Sequence, residues 1–212
     1  MSTLTVPLLI RFFDPTLASP DTRNRTLITI LSWPDSHLEA SHDYIQTVFP
    51  LPEESMFSFA PIVTSEVRAA FLARSELRAS LRRALERMLA FYGLQFSDDA
   101  GGEDALQASN NDGDAIAKET ETVTRGPTFD TASRNWVMRF NHNHLRLTRI
   151  LRSLRVLGLE SEAAALYDFL RTDEAVTGTV SPRSQMYWRR AAQRGLWLRL
   201  RRRMRVPRGL RG

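Results

Sequence analysis

The sequence contains no cysteine. Disulfides, thiolate nucleophiles, zinc ribbons and thiolate-bound haem are therefore excluded, and an intracellular location is indicated. No apolar run approaches the roughly 20 residues that cross a bilayer as a helix, so we expect no transmembrane helix and only peripheral membrane contact. Met1 to Ile10 lacks the basic region that precedes the apolar part of a signal peptide. No segment alternates apolar and polar residues for long, which argues against a large β-sheet.

Lysine is also nearly absent, because Lys118 is the one lysine among 29 basic residues. Acidic residues are missing after Glu174, whereas they crowd residues 97–126, so the net charge of +5 hides a strong asymmetry. The segment 97–126 is rich in Asp, Asn, Ser, Thr and Gly and poor in bulky apolar residues. We interpret it as a disordered acidic insert within one domain.

Apolar residues recur at helical spacing through most of the remaining chain. The pattern predicts an all-α fold, a single-domain irregular helical bundle over residues 1–200, followed by a basic tail at 201–212. The predicted helices lie within residues 26–49, 64–93, 141–157, 160–171 and 182–200. The first of these ranges holds two helices, a short one over residues 26–33 that Pro34 stops and a second from Ser36 to Phe49.

Several helix ends have sequence signals. Ser36-His37-Leu38-Glu39 matches a capping box, and Thr64 or Ser65 is expected to cap the next long helix. Gly93 is typical of the glycine that follows a helix. Asn141 is expected to cap the helix over 141–157, and Ser181-Pro182 has the serine–proline order of a helix start.

Four arginines step every third residue through the predicted helix 141–157, at Arg146, Arg149, Arg152 and Arg155. We interpret them as a solvated face whose aliphatic stems cover apolar edges. The alternative interpretation is a surface for an anionic partner.

All four histidines lie within residues 37–42 and 142–144. Neither pair has the i, i+4 spacing that chelates a metal ion on a helix. We favour the interpretation that they cap helices or form buried hydrogen bonds. The alternative is a metal- or haem-dependent enzyme using His42, His142 and His144. A divalent metal requires both segments to meet beside a carboxylate, whereas haem requires one axial imidazole.

No motif specifies a reaction, and the nucleophile elbow G-x-S-x-G is absent. The sequence therefore favours a binding protein over an enzyme, with no catalytic residue assigned. The basic C-terminal segment predicts anionic partners: a membrane surface, nucleic acid bound non-specifically, or a nuclear import receptor. A further alternative is a scaffold that acts through this tail. Its candidate residues are Arg199, Arg201, Arg202, Arg203 and Arg205.

Several uncommon residue combinations occur in a fixed order along the chain. They are Arg25-Thr26-Leu27, His42-Asp43-Tyr44-Ile45-Gln46, Phe49-Pro50-Leu51, Arg87-Met88-Leu89-Ala90-Phe91-Tyr92-Gly93, Asn135-Trp136, Phe140-Asn141-His142-Asn143-His144 and Arg149-Ile150-Leu151-Arg152-Ser153-Leu154. In order and spacing they resemble the opioid growth factor receptor conserved domain family. One departure is that Thr47 stands where the family has tryptophan.

The resemblance implies a protein that binds enkephalin-type peptides and has a regulatory role in the nucleus, at the nuclear envelope or at a membrane. We expect the two histidine-bearing segments to meet and form the ligand site. Asp43 would suit the peptide amino group, and a ligand tyrosine could stack on Tyr44 or Trp136. The candidate ligand-binding residues are His42, Asp43, Tyr44, Gln46, Trp136, Asn141, His142 and His144.

Overall fold

A computed structural model describes residues 6–54, 60–97 and 121–195 of the chain. Residues 98–120 of the predicted insert lie outside the described residues, as do residues 196–212 with the end of the predicted helix 182–200 and the basic tail. The described part is mostly helical, which confirms the predicted class. None of its helices is long and apolar enough to cross a membrane.

The secondary structure comprises eleven α-helices, one 3-10 turn and two short strands in the described residues. In the first half these are α1 Leu8–Phe13, α2 Leu27–Leu31, α3 Asp35–Ala40, α4 Ile45–Val48, α5 Ser65–Ala73, α6 Ser75–Tyr92 and β1 Leu94–Phe96. In the second half they are β2 Val123–Arg125, α7 Phe129–Ala132, the 3-10 turn Ser133–Asn135, α8 Asn143–Val156, α9 Glu160–Thr172, α10 Glu174–Thr179 and α11 Pro182–Gln193.

Two long amphipathic helices supply the centre of one continuous core. The helix α6 contacts α1, α2, α5, α7 and β1, and α8 packs against α9 and α11. The apolar residues at helical spacing are the buried ones, among them Leu81 and Leu85 on α6 and Ile150 and Leu154 on α8. The predicted helices 141–157, 160–171 and 182–200 correspond to α8, α9 and α11. The helix α11 ends earlier than predicted, at Gln193, because Arg194 is extended.

The predicted break at Trp33-Pro34 is confirmed, because α2 ends at Leu31 and α3 begins at Asp35. The predicted second helix over residues 36–49 is divided, because the chain forms α3 and α4 there and Ser41 after α3 is extended. The capping box at Ser36 is wrong, since α3 begins at Asp35 and Ser36 lies inside it. A proline has no N–H to continue a helix, and the extended Pro34 precedes α3, so the helix begins two residues earlier than a cap at Ser36 would place it.

The predicted helix 64–93 is divided at Arg74, which is extended between α5 and α6. The Arg74 guanidinium bridges Asp14, at 2.5 Å, and Glu76, at 2.8 Å, and so fixes the turn. Hydrogen bonds from Thr16 and Arg74 hold the pKa of Asp14 well below its usual range. The predicted cap at Thr64 is confirmed, because its side chain accepts a hydrogen bond from the Val67 amide.

A two-stranded antiparallel ribbon, which the sequence did not predict, pairs β1 with β2. The strand β2 lies within the predicted 97–126 insert, so the end of that segment is ordered. Glu121, just before β2, pairs with Arg82 on α6 at 2.7 Å. This ion pair and the strand pairing attach the returning chain to the core.

Arginine side chains hydrogen-bond carbonyl groups that are left free at the ends of helices. The four C-terminal carbonyls of any α-helix lack partners within the helix, and short helices make such groups numerous. The donors and acceptors are Arg78 to Phe71 and Leu72, Arg87 to Leu31 and Trp33, Arg149 to Phe49, and Arg155 to Ala191 and Arg194. Arginines from distant segments therefore close the ends of α2, α4, α5 and α11.

Gly93 ends α6 as predicted, with φ at 75° in the left-handed region. A Cβ at this position would lie 2.6 Å from the Cα of Phe129. We therefore expect Gly93→Ala to lower the free energy of unfolding by roughly 2–4 kcal/mol, through backbone strain and steric overlap. Urea denaturation of the purified protein measures this change.

The matched control is Gly178→Ala in α10, where an added Cβ meets no atom within 4 Å. This variant should be neutral or gain up to about 1 kcal/mol, because alanine favours the helix. Equal losses in the two variants would contradict the assigned role of Gly93.

Candidate functional site

The two histidine-bearing segments meet in space, which confirms that prediction. The carboxylate of Glu39 on α3 lies between them: its Oε1 is 3.1 Å from His142 Nε2, and its Oε2 accepts a 3.1 Å hydrogen bond from Asn143. The rings of His42 and His142 pack edge to face with centroids 5.4 Å apart. Glu39 was not among the predicted ligand residues, although it lies in the same segment.

Arg146 on α8 holds this junction together and is only 5% exposed. Its Nη2 donates to the carbonyl oxygens of Ser41, at 2.8 Å, and Glu39, at 3.2 Å. Nη1 donates to Asn143 Oδ1 at 3.2 Å. Nη2 also lies 3.3 Å from His42 Nδ1, which makes Nδ1 the acceptor because guanidinium nitrogens only donate. The guanidinium thus satisfies the carbonyls of the break between α3 and α4.

The interpretation of the four α8 arginines as one solvated face is wrong for Arg146 and Arg149. Arg149 donates to the Phe49 carbonyl at 3.1 Å, and burial lowers its pKa. The sequence signal for their burial was the position of both arginines beside the apolar stripe of α8. A flanking arginine can reach over the edge of the core to a carbonyl.

Asp43 points away from the junction and is already paired with two arginines. Its Oδ1 lies 2.9 Å from Arg25 Nη1 and its Oδ2 lies 2.7 Å from Arg23 Nε. Arg25 also binds the buried Asp21 at 2.7 Å. These pairs fix the loop before α2 against the start of α4, so Asp43 has a structural role here.

Tyr44 and Trp136 are each 1% exposed, so neither ring offers a face for stacking with a ligand. Tyr44 donates from its hydroxyl to Met88 Sδ at 3.6 Å, and burial raises its pKa to about 12. Trp136 donates to the Tyr92 carbonyl at 3.0 Å. The structure corrects the expectation that these rings contact a peptide, because large aromatic surfaces are more stable in the core.

Gln46 and Thr47 are buried in α4, at 6% and 2% exposure. The Oε1 of Gln46 has no hydrogen-bond partner among the described residues. Thr47 occupies the position of the family tryptophan. Because Thr47 is buried, this difference changes local packing.

Asn141 and His144 form a second group at the start of α8. Asn141 Oδ1 accepts a 2.8 Å hydrogen bond from the amide of Asn143, the first residue of α8. The N-cap position is His142, so the predicted cap at Asn141 lies one position early. The His144 ring lies between Ser184 Oγ, 2.9 Å from Nδ1, and the Trp136 carbonyl, 2.9 Å from Nε2. Because a carbonyl only accepts, Nε2 carries the proton and Nδ1 accepts from Ser184.

Both ring nitrogens of His144 are therefore engaged, by Ser184 and the Trp136 carbonyl and not by His42 or His142. The described residues include no group of three or more His, Cys, Asp or Glu side chains placed to hold a metal ion. The interpretation of the histidines as hydrogen-bonding groups at helix starts fits the contacts of His144. His37 lies outside the junction and stacks on Trp33, with centroids 4.0 Å apart.

Two open clefts flank the Glu39–His142 pair. The first, which we term the α3–α7 cleft, has a volume of about 810 Å³ and is lined by residues that include Asp35, Glu39, Ala90, Phe91, Thr131 and Asn135. The second, the α8–α11 cleft, has a volume of about 560 Å³ and is lined by residues that include Phe140, Asn141, His142, Leu145, Arg183 and Tyr187. Glu39 lines one cleft and His142 the other.

We expect Arg146→Met to lower the free energy of unfolding by about 2–4 kcal/mol, because the carbonyls of Ser41 and Glu39 lose their buried donor. Denaturant titration is the measurement. Arg171→Met is the control, since Arg171 is 56% exposed and pairs only with the exposed Asp168 on α9; its loss should stay below about 1 kcal/mol. A small effect of Arg146→Met would contradict the central role of this guanidinium.

Burial lowers the pKa of His144 from its ordinary value of 6.5. In the folded protein His144 should therefore titrate below 6.5, which nitrogen-detected NMR of the imidazole measures directly. Because the unfolded chain binds the proton first, stability should fall as the pH drops below 6.5 and level off below the folded pKa.

His144→Gln should reduce this loss of stability between pH 7 and pH 5, measured by denaturation at each pH. His142 also has a lowered pKa through burial, so His142→Gln is the comparison that separates the two contributions. A His144 midpoint at or above 6.5 would contradict the lowered pKa assigned to the buried ring.

The amino-acid sequence is similar to that of a known protein family. A family model described as the opioid growth factor receptor (OGFr) conserved region matches residues 20–189. The opioid growth factor receptor of Mus musculus is 35% identical over 147 residues, which cover 68% of this chain and 20% of the mouse protein. The opioid growth factor receptor-like protein 1 of Rattus norvegicus is 30% identical over 149 residues, covering 68% of this chain and 26% of the rat protein.

No solved structure gives a significant match. The chain spans about a fifth of the length of the mouse receptor that it matches. The family match nonetheless includes both histidine-bearing segments, the Arg146 junction and the walls of both clefts. The chain belongs to the opioid growth factor receptor conserved-region family.

Proposed function

We propose that this domain binds a short peptide with a free amino terminus, of the opioid growth factor or enkephalin type, in the α3–α7 cleft. The observation that carries the proposal is the half-exposed carboxylate of Glu39, which lies in the wall of that cleft and is held in place by Asn143 and His142. The names of the relatives describe a receptor for a growth factor of this type, and family membership supports the same class of ligand here.

The chemistry of the cleft suits a cationic amino terminus beside apolar side chains. Asp35 and Glu39 are the carboxylates in its lining, Arg87 also lines it, and Ala90 and Phe91 supply apolar surface. Asp35 is 62% exposed and pairs with Arg87 at 2.6 Å. An ammonium group forms its strongest hydrogen bonds with carboxylates. We therefore assign to Glu39, whose side chain is 36% exposed, the role that the sequence suggested for Asp43, which is 18% exposed and paired with two arginines.

The predicted residues His42, Asn141 and His142 would act by positioning Glu39. Burial lowers the pKa of His142, which favours its neutral form. A neutral His142 does not compete with a ligand cation for the charge of Glu39. The rings of His42 and His142 then form a wall that fixes the carboxylate, and Asn141 holds the segment through its 2.9 Å hydrogen bond to the Asn135 carbonyl.

We also propose a regulatory role and association with the nucleus, the nuclear envelope or a membrane surface. Family membership supports this proposal. The basic side chains expected to mediate it are Arg199, Arg201, Arg202, Arg203 and Arg205. These residues lie outside the described part of the chain, so this part of the proposal rests on charge and on the family.

Titration calorimetry with met-enkephalin tests the binding. We expect measurable heat with the wild-type protein and affinity lower by about 10- to 100-fold for Glu39→Gln, which removes a charge-assisted hydrogen bond. An N-acetylated peptide, which has no terminal ammonium, should lose affinity to a similar degree.

The matched control is Glu86→Gln on α6, an exposed acid that pairs with Arg82 away from the cleft. It should leave the binding heat unchanged. The proposal fails if wild-type protein gives no heat, or if Glu86→Gln weakens binding as much as Glu39→Gln does.

A further inference from the structure

The α8–α11 cleft exposes three large apolar side chains that lie close together. Phe140 is 65% exposed, Leu145 is 69% exposed and Tyr187 is 37% exposed, and all three line the cleft. Single exposed apolar residues are ordinary on a protein surface, but a group of them around a recess is typical of an interaction site. The peptide proposed above does not use this surface.

The floor of the cleft is fixed by hydrogen bonds between its two walls. The Ser181 amide donates to the Arg139 carbonyl at 3.2 Å. The Ser184 hydroxyl and the His144 ring are 2.9 Å apart, and the Trp188 indole donates to the His144 carbonyl at 2.9 Å. Because these contacts join the segment before α8 to α11, the cleft is formed before any ligand binds, which reduces the entropy lost on binding.

The rim of the cleft is positively charged. Arg183 lines it, Arg139 lies over the Phe140 ring at 5.5 Å, and Arg190 lies over the Tyr187 ring at 6.0 Å. In the part of the chain that the structure describes, these three arginines form no ion pair. Among the described residues that line the cleft there is no carboxylate.

The start of α11 strengthens this positive field. Its first turn contains Arg183 and no acidic residue, although the partial positive charge of a helix N-terminus favours an anion there. A bound anionic group would interact favourably with both the helix end and the arginines. The α3–α7 cleft differs, because its lining includes the carboxylates of Asp35 and Glu39 together with Arg87.

We propose that the α8–α11 cleft docks an acidic segment of a partner protein, in which one large apolar side chain is flanked by Asp or Glu residues. The apolar side chain would contact Phe140, Leu145 and Tyr187, and the acidic residues would pair with the arginines at the rim. A recess of about 560 Å³ fits a protruding side chain, whereas a bilayer surface has no such projection. The aliphatic Leu145 suits a protein side chain better than a stacked nucleic-acid base.

Fluorescence anisotropy tests the charge requirement. The probe is a labelled synthetic peptide with a central Leu-Phe pair between three acidic residues on each side, and the protein is the full chain. We expect saturable binding that weakens as salt is raised from 50 to 300 mM, because the rim charges are screened. Arg183→Glu should weaken binding at least about tenfold. Arg83→Glu, the same charge change at an exposed position on α6, should leave it nearly unchanged.

A second pair of variants tests the apolar contact. Leu145→Ser should weaken binding several-fold, while Ile28→Ser, at a 63% exposed position on α2, should not. Both side chains lie largely in solvent, so neither change should unfold the protein, and circular dichroism verifies this. A peptide with Gly-Ser in place of Leu-Phe should bind as weakly to wild type as the original peptide does to Leu145→Ser.

Two alternative ligands, each tested for direct binding, decide the class of partner. The proposal is overturned if phosphatidylserine vesicles or an oligouridine bind wild type in an Arg183- and Leu145-dependent way while the acidic peptide does not bind. It is equally overturned if the peptide binds wild type, Arg183→Glu and Leu145→Ser with the same affinity. The enkephalin calorimetry is independent of these outcomes, because it depends on Glu39 and the other cleft.

Discussion

The buried guanidinium of Arg146 is the contact on which the arrangement of the two family segments depends. It gives hydrogen bonds to two carbonyls of the α3–α4 break and to Asn143. A backbone that leaves a helix and enters another within a few residues has polar groups that must find partners if they are buried. One planar cation with five donors can satisfy several of them at once. The position of Glu39 between the segments follows from this arrangement.

Glu39 and His142 in turn separate two clefts of different electrostatic character. The lining of one includes two carboxylates and Arg87, whereas arginines without a described ion pair lie around the other, although both share the same junction. Different fields on adjacent surfaces favour different ligand classes, because like charges repel at short range. A single small domain of this kind can therefore hold a cationic ligand and an acidic partner segment side by side.

The sequence predicted the long helices, since apolar residues recur at helical spacing on α6 and α8, and family resemblance predicted the meeting of the histidine segments. The sequence did not predict that Asp43 pairs with Arg23 and Arg25, which are distant from it along the chain. Nor did it show that Tyr44 and Trp136 are core residues, because an aromatic residue in a motif suits packing and binding equally. The β1–β2 ribbon was missed because three-residue strands have too few residues to show alternation.

The arginines that close helix ends have a consequence for how variation in this family is judged. Arg78, Arg87 and Arg155 each bond two carbonyl oxygens, from one or two neighbouring guanidinium nitrogens. Lysine keeps the charge but has a single ammonium nitrogen without the planar fork. An Arg-to-Lys exchange, usually scored as conservative, is therefore a structural change at Arg87, whose two bonds come from two different nitrogens. The near absence of lysine from this chain is consistent with that distinction.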